Sequence, residues 1–400
     1  MNRRERCCVV SGCPRLLRYI LPLLCLLLRA ADPAAFQSAY RAGLEALGKN
    51  NLAVAQTQFE AAAKLQPRHA QVWLALAQVY FKLDKAKLAA DAALRAETLA
   101  PADPTVLHGL AFYYTEAREP LRAAALEARY AEKSPQDRDA YSRAIDLYLR
   151  ASHPKPAILL AQKALLRDDS AATHELLAKA LDADAQFDSA IVQYRQAVKL
   201  RPYDENTLVE LGRALLRRQK FAEARQVFED GGRLFDKSAP IQLGLGEALY
   251  GLHRYPETID AFLLAIQLDP DREQPYLLLG RMIDQAGNKM PDLSAALATY
   301  VSVKPNSYTS NFLYAKVLLA QNAEPDQVEP LLRKSIALNN SYWESHFELG
   351  TALEKKQDWS GAAAELERSI QLNPKDALAR QHLAHVYERL GKPRKPEAPK

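Results

Sequence analysis

Histidine and cysteine are the residues in this 400-residue chain with the widest chemical reach, and it holds eight of the first and four of the second. His382 and His385 stand three apart, a spacing that puts two imidazoles on one helical face, and His346 precedes them. A metal site needs further ligands of fixed geometry, and no Asp or Glu stands at an obvious position to complete this one. His174-Glu175 opens like a zincin motif, but no second histidine follows at the required spacing. Gly244 and Gly246 resemble part of a dinucleotide fingerprint, yet no strand pattern precedes them, and Gly246 belongs to a row of small residues described below. No Gly-rich phosphate loop and no nucleophile-elbow serine occur. The sequence therefore predicts no catalytic residue, no metal and no cofactor.

The cysteines have a different explanation. Cys7, Cys8, Cys13 and Cys25 all lie in the first thirty residues, beside Arg3, Arg4, Arg6, Arg15 and Arg18 and an apolar run from Tyr19 to Leu28. Ala30 and Ala31 follow. A basic stretch, a short apolar core and a small-residue exit describe a secretory signal peptide over residues 1–30. The apolar run is short of the roughly 20 residues of a spanning helix, and an uncleaved signal anchor is the alternative. Val10-Ser11-Gly12-Cys13 resembles a lipobox but precedes the apolar run, where it could not be used. Without this leader the chain has no cysteine, which excludes disulfides, cysteine-ligated metals and cysteine nucleophiles. Six Arg against Glu5 also account for the whole formal charge of +5. The remainder is near neutral and carries no nucleic-acid signal.

Residues 34–391 are organised by repetition. A Pro, Asp or Asn closes an Ala-rich apolar stretch at Pro67, Pro101, Pro135, Asp169, Pro202, Asp236, Pro270, Pro305, Asn340 and Pro374, 34 residues apart with single-residue slips near Asp169, Pro305 and Asn340. Within each unit a small residue recurs at Gly43, Ala77, Ala111, Ala178, Gly212, Gly246, Gly280, Ala315, Gly350 and Ala384, and Ile145 alone breaks the row. Twelve residues later comes an alanine (Ala55, Ala89, Ala123, Ala157, Ala190, Ala224, Ala362), then a large residue four further on (Phe59, Tyr194, Phe228, Phe262, Leu366). Apolar positions at i, i+3, i+4 and i+7 make two amphipathic helices per unit. Pro120, Pro156, Pro256 and Pro325 stand where the second helix begins, where Pro costs no hydrogen bond.

The pattern large-x-x-L-G/A-x-x-Y, then A-x-x-x-F-x-x-A and a closing Pro, resembles the tetratricopeptide repeat (TPR) family. The segments from Val72 to Pro101 and from Glu175 to Pro202 are close matches. About ten units cover the chain from Phe36 to roughly Asp376, with the third, eighth and ninth degenerate: Tyr130 and Tyr300 stand where Ala is expected. The resemblance implies an all-α fold, an α-α superhelical solenoid of about ten tandem helix pairs. Ala377–Leu390 reads as a capping helix, which an open solenoid needs. Residues 392–400 are Pro- and charge-rich and read as a disordered tail.

In this family the first helix of each unit lines a concave groove. One row there is apolar late in the array, at Leu243, Leu277, Phe312 and Phe347, and mixed earlier, at Tyr40, Leu74, His108, Ser142, Glu175 and Val209. Its neighbour reads Lys179, Arg213, Glu247, Arg281 and Lys316. Leu243, Leu277, Phe312, Phe347, Arg213, Arg281 and Lys316 form the candidate site, an accessible apolar strip flanked by positive charge, suited to protein or peptide partners. The competing assignment puts the apolar row into packing between repeats and leaves the charges as a solvated face. The family's basic clamp for chain-terminal carboxylates is not matched by consecutive repeats here. The function these residues imply is an exported, non-enzymatic interaction scaffold of the periplasm or extracellular space, in envelope assembly or export. The alternative is a carbohydrate- or polymer-handling protein using Tyr40, Phe112, Phe312 and Phe347 to stack on sugars. The leader gives a direct test: N-terminal sequencing of the protein from its host should find a start near Ala31 or Asp32. An intact Met1 in the membrane fraction would establish an anchor, and a full-length cytosolic protein would refute export.

Overall fold

The computed structural model describes residues 33–392, all of them in helices and the turns between helices. The predicted signal peptide and the tail from residue 393 onward lie outside the described residues. In chain order the helices are α1 (Pro33–Gly48) and α2 (Leu52–Leu65), α3 (Ala70–Lys82) and α4 (Ala86–Leu99), α5 (Pro104–Glu116) and α6 (Pro120–Lys133), α7 (Ala140–Arg150) and α8 (Pro154–Arg167), α9 (Ala171–Ala183) and α10 (Phe187–Leu200). They continue as α11 (Glu205–Arg217) and α12 (Phe221–Leu234), α13 (Ala239–Gly251) and α14 (Tyr255–Leu268), α15 (Glu273–Gly280) and α16 (Met290–Val303), α17 (Tyr308–Ala320) and α18 (Pro325–Leu338), α19 (Trp343–Lys355) and α20 (Trp359–Leu372). The unpaired α21 (Ala377–Arg389) ends the array. These are the ten helix pairs and the closing helix that the repeat predicts.

The chain divides into two compact units, one formed by the residues up to Asp169 with Lys179–Asp184, the other by Ser170–Ala178 with the residues from Ala185 onward. In the first unit Phe36, Phe59, Leu76, Leu107 and Tyr114 belong to one continuous core. In the second, Phe262, Tyr276, Tyr300, Leu313, Leu366 and Tyr387 belong to another. Helices adjacent in sequence pack against one another within each unit.

Both ends of the first helices are set by local chemistry. Beyond the closing Pro, Asp or Asn, a short polar side chain at several repeats accepts a hydrogen bond from the opening turn: Asp103 from Val106 N (3.1 Å), Asp204 from Thr207 N (3.0 Å), Ser238 from Ile241 N (3.2 Å) and Asp376 from Leu378 N (2.9 Å). At the other end the chain reverses through one left-handed residue. These are Asn50, Asp84, Arg118, Ser152, Ala185, Gln219, His253, Asn322 and Gln357, with Gly287 and Gly391 completing the series, all at φ between 51° and 67°. The next N–H reaches back five residues, as in Asn51 N to Ala46 O (2.8 Å), Lys85 N to Tyr80 O (2.9 Å) and Lys220 N to Leu215 O (2.9 Å). This closure satisfies carbonyls left over at a helix end and favours glycine, yet nine of the eleven positions carry a side chain.

Within a repeat the two helices meet through an exchange of volume sixteen residues apart. A Cβ on Gly212 would lie 2.2 Å from Phe228 Cζ, and one on Gly244 of the following repeat would lie equally close to the same atom. The Phe228 ring thus fills a slot made by two glycines. Gly43 with Phe59, Gly246 with Phe262 and Gly350 with Leu366 repeat the arrangement. The exception inverts it: Ile145 has Ala161 at the same offset, and both are fully buried.

The eighth repeat, predicted to be degenerate, is where the helix pattern fails. Its first helix, α15, stops after 8 residues, and two 3-10 turns, Ile283–Gln285 and Gly287–Lys289, carry the chain to α16. Tyr300, at an alanine position, is accommodated by stacking on Tyr276 with centroids 4.5 Å apart.

Two substitutions should move stability in opposite directions. Gly212→Leu should cost about 3 kcal/mol, because the Phe228 slot has no room for a side chain. Gln219→Gly should gain about 0.5–1 kcal/mol by relieving a left-handed residue. Urea unfolding of both variants measures this, and an unchanged midpoint for Gly212→Leu would refute the slot.

Candidate partner-binding face

The structure corrects the apolar half of the predicted site. Leu243 and Phe312 are only 3% and 5% exposed and belong to the core of the second unit, while Leu277 and Phe347 are half-buried against it. They are not an accessible strip. The cause is the direction of this row, which meets the following repeat. The Phe312 ring packs edge-on to Tyr342 at 5.0 Å, just before α19, and Phe347 packs edge-on to His382 of α21 at 5.7 Å. Each of these rings therefore joins neighbouring repeats.

The charged row does reach solvent, in differing states. Arg213 is half-buried and donates from Nη1 to Glu210 Oε1 at 3.0 Å. Arg281 is exposed, and the guanidinium makes no hydrogen bond or ion pair among the described residues. Lys316 is half-buried and likewise makes no close ion pair among them. Between these cations stand carboxylates that the protein has drawn out of water. Burial pushes the Glu247 carboxyl above its usual range, opposed by a hydrogen bond from Gln274 Nε2 (2.8 Å) and by the charge of Arg213. Burial raises Glu348 as well, opposed by Lys316, Lys355 and His382.

The histidines that could have made a metal site resolve otherwise. His382 and His385 both place Nδ1 on the Glu354 carboxylate, at 2.6 and 2.5 Å, so the acid that sequence spacing failed to find comes from α19, one repeat earlier. His346 faces Glu365 at 2.7 Å and Asn340 O at 3.2 Å. No group of three or more His, Cys, Asp or Glu among the described residues is arranged to hold a metal ion. The contacts tie the closing helix to the last repeat.

A polar cluster in the first unit escaped the sequence reading. Glu127 of α6 occupies the position at which other repeats carry Phe59, Phe228 or Phe262, sixteen residues after Ala111, and is 2% exposed. Its oxygens meet His108 Nδ1 at 2.9 Å and Arg143 Nε at 2.7 Å. Arg143 also donates to Asp137 Oδ2 at 2.7 Å, and Tyr130 donates to the same oxygen at 3.0 Å. The Tyr130 that marks the third repeat as degenerate thus serves this network. Beside it lies a cavity of about 230 Å³ lined by Ala111, Phe112, Thr115, Leu147 and Arg150 among others. Phe112 is 59% exposed. Tyr40, by contrast, stacks on Phe36 at 5.9 Å. Of the four aromatics considered for sugar stacking, Phe112 alone is exposed.

Short paired helices, most of 13 or 14 residues, interlocked through small-residue slots and closed by a last unpaired helix, define an α-solenoid of helical repeats. A tetratricopeptide repeat model matches residues 40–104, 175–239 and 209–273. The chain is a TPR protein. Its fold is similar to that of Naa15/Naa10 bound to HypK-THB, at 13% identity over 89% of this chain and 66% of that one, with a TM-score of 0.44. It is similar also to YrrB, described as a TPR protein with an unusual peptide-binding site (16% identity, 49% of this chain, 97% of that one, TM-score 0.42). A further likeness is to the APC/C hetero-tetramer Cut9–Hcn1 (15% identity, 93% of each chain, TM-score 0.37). No residue correspondence follows at such identities. No curated protein sequence matches the chain. No helix among the described residues is long and apolar enough to cross a membrane.

The Asp137 carboxyl supplies a test of the cluster. The hydrogen-bonded Arg143 guanidinium, assisted by Tyr130 and opposed by burial, holds it down at about 2. A depressed carboxylate stabilises the fold above its unfolded value and loses that contribution as pH falls through its folded one. Asp137→Asn should therefore cost about 1–2 kcal/mol at neutral pH, and parent and variant should converge between about pH 4 and pH 2. A difference independent of pH, measured by urea unfolding, would refute the ion pair.

Proposed function

We propose that this protein is a non-enzymatic scaffold that binds partner proteins or peptides on its first-helix face, with the second unit supplying the contact. The observation that carries this reading is the state of the charged row. The described chain neutralises many of its charges in close pairs, such as Arg218 with Asp188 (2.8 Å) and Lys356 with Glu329 (2.8 Å). Arg281 and Lys316 have no such pairing among the described residues, and Leu277 and Phe347 stand half-buried in the neighbouring row. An exposed Arg281 with no ion pair among the described residues favours an acidic partner, and such groups steer association. The tetratricopeptide fold supports a role in holding other proteins.

The leader supports export, so the partner belongs to the periplasm or extracellular space, in envelope assembly or export; retention by an uncleaved anchor is the alternative. A sugar-handling role is not favoured, since three of the four candidate rings pack into the fold. Bait lacking the leader should capture partner protein from the host's exported fraction. Arg281→Glu with Lys316→Glu should slow association about tenfold or more at low salt, an effect fading as salt rises. Unchanged association by the double variant, with partner still captured, would move the site away from this face.

A further inference from the structure

The second unit departs from its own regularity at one place on the candidate face. Helices α13 and α17 each run 13 residues, whereas α15 between them runs 8 and ends at Gly280. A stretch of 3-10 turns in place of a helix commonly marks a functional position. Here Met282, Ile283 and Ala286 turn inward and stay buried, while Arg281 stays exposed. Beside Arg281 lies a cavity of about 100 Å³, lined by Phe262, Leu278, Met282 and Tyr250 with Glu247 and Arg281.

Four apolar side chains and two charged ones define the chemistry that fits. The charged pair is unequal. Glu247 already accepts from Gln274 and feels the charge of Arg213. Arg281 makes no hydrogen bond or ion pair among the described residues, so its five N–H donors are available to a planar acid. The hollow is smaller than the roughly 150 Å³ apolar cavity known to hold benzene, which suits an aliphatic side chain better than an aromatic one. Apolar anchors seated beside a fixed charge are a common form of interface hot spot.

We propose that this cavity is a specificity pocket for a partner segment in which Leu, Ile or Met stands next to Asp or Glu. The aliphatic side chain fills the space against Phe262, Leu278 and Met282, and the neighbouring carboxylate pairs with Arg281. The proposal rests on the partner-binding function put forward above and adds the sequence chemistry of the partner.

The probe is a displayed library of random short peptides panned against the chain without its leader, and against Arg281→Glu and Leu278→Phe. Thermal unfolding near that of the parent establishes that each variant is folded. The parent should enrich peptides with an aliphatic residue adjacent to an acid. Arg281→Glu should bind those peptides at least tenfold more weakly, and should recover affinity when Lys replaces their acid. Leu278→Phe should turn the enrichment from Leu, Ile and Met towards Ala and Gly. Enriched peptides without the aliphatic–acid pairing, or indifferent to both variants, would overturn the pocket while leaving peptide binding intact. Failure of the parent to enrich any peptide would overturn the binding function itself. Should Leu278→Phe not fold, the charge-swap arm with Arg281→Glu decides alone.

Discussion

Phe228 filling a slot between Gly212 and Gly244 is the contact on which the architecture of the second unit most visibly depends. At this ring both facing helix backbones offer no Cβ, and elsewhere small residues likewise mark the surfaces through which helices approach. The constraint is one of volume, not of residue identity. Ile145 with Ala161 meets it with the bulk on the other helix, which is why a residue that breaks the consensus leaves the fold intact. Interiors packed to the density of crystals tolerate a swap that keeps total volume and resist one that adds to it.

Where the exchange is made with a charge, the consequence is a network. Glu127 in a ring's place would be intolerable alone, since a buried carboxylate needs compensation by partners. His108 and Arg143 supply it, and Asp137 and Tyr130 extend it. The third repeat is thus degenerate as a pattern and complete as chemistry. The eighth repeat resolves its irregularity differently, by shortening a helix.

Much of the fold was legible because periodicity is a property of the chain itself. Helix number, pairing, the closing helix and the tight approach at Gly212 all follow from rows of small and large residues. The candidate site was legible only in its charges. Leu243 and Phe312 were assigned to an open surface because a row on one helical face has two possible neighbours, solvent or the next repeat, and period alone does not choose between them. Glu354 between His382 and His385 was missed for a related reason: its partners lie 28 and 31 residues further along. Glu127 left a signal, a charge in a position that the other repeats fill with an aromatic, aliphatic or alanine side chain, which is visible once the offset of sixteen is known. The helix break after Gly280 left none beyond the irregular consensus around it.

The left-handed turns have a consequence for compliance. Nearly all of them join the two helices of one repeat, and in an array whose members touch chiefly their neighbours the conformational tension of a turn is felt locally instead of being shared by the whole chain. Arg118, Ser152, Ala185 and Gln219 hold a backbone conformation that their side chains disfavour, while Gly287 holds it freely. On steric grounds a repeat with a bulky turn residue is therefore expected to open at lower cost than the one that turns at Gly287. The order in which such an array breathes is thereby written into single residues at its bends, remote from any surface that grips a partner.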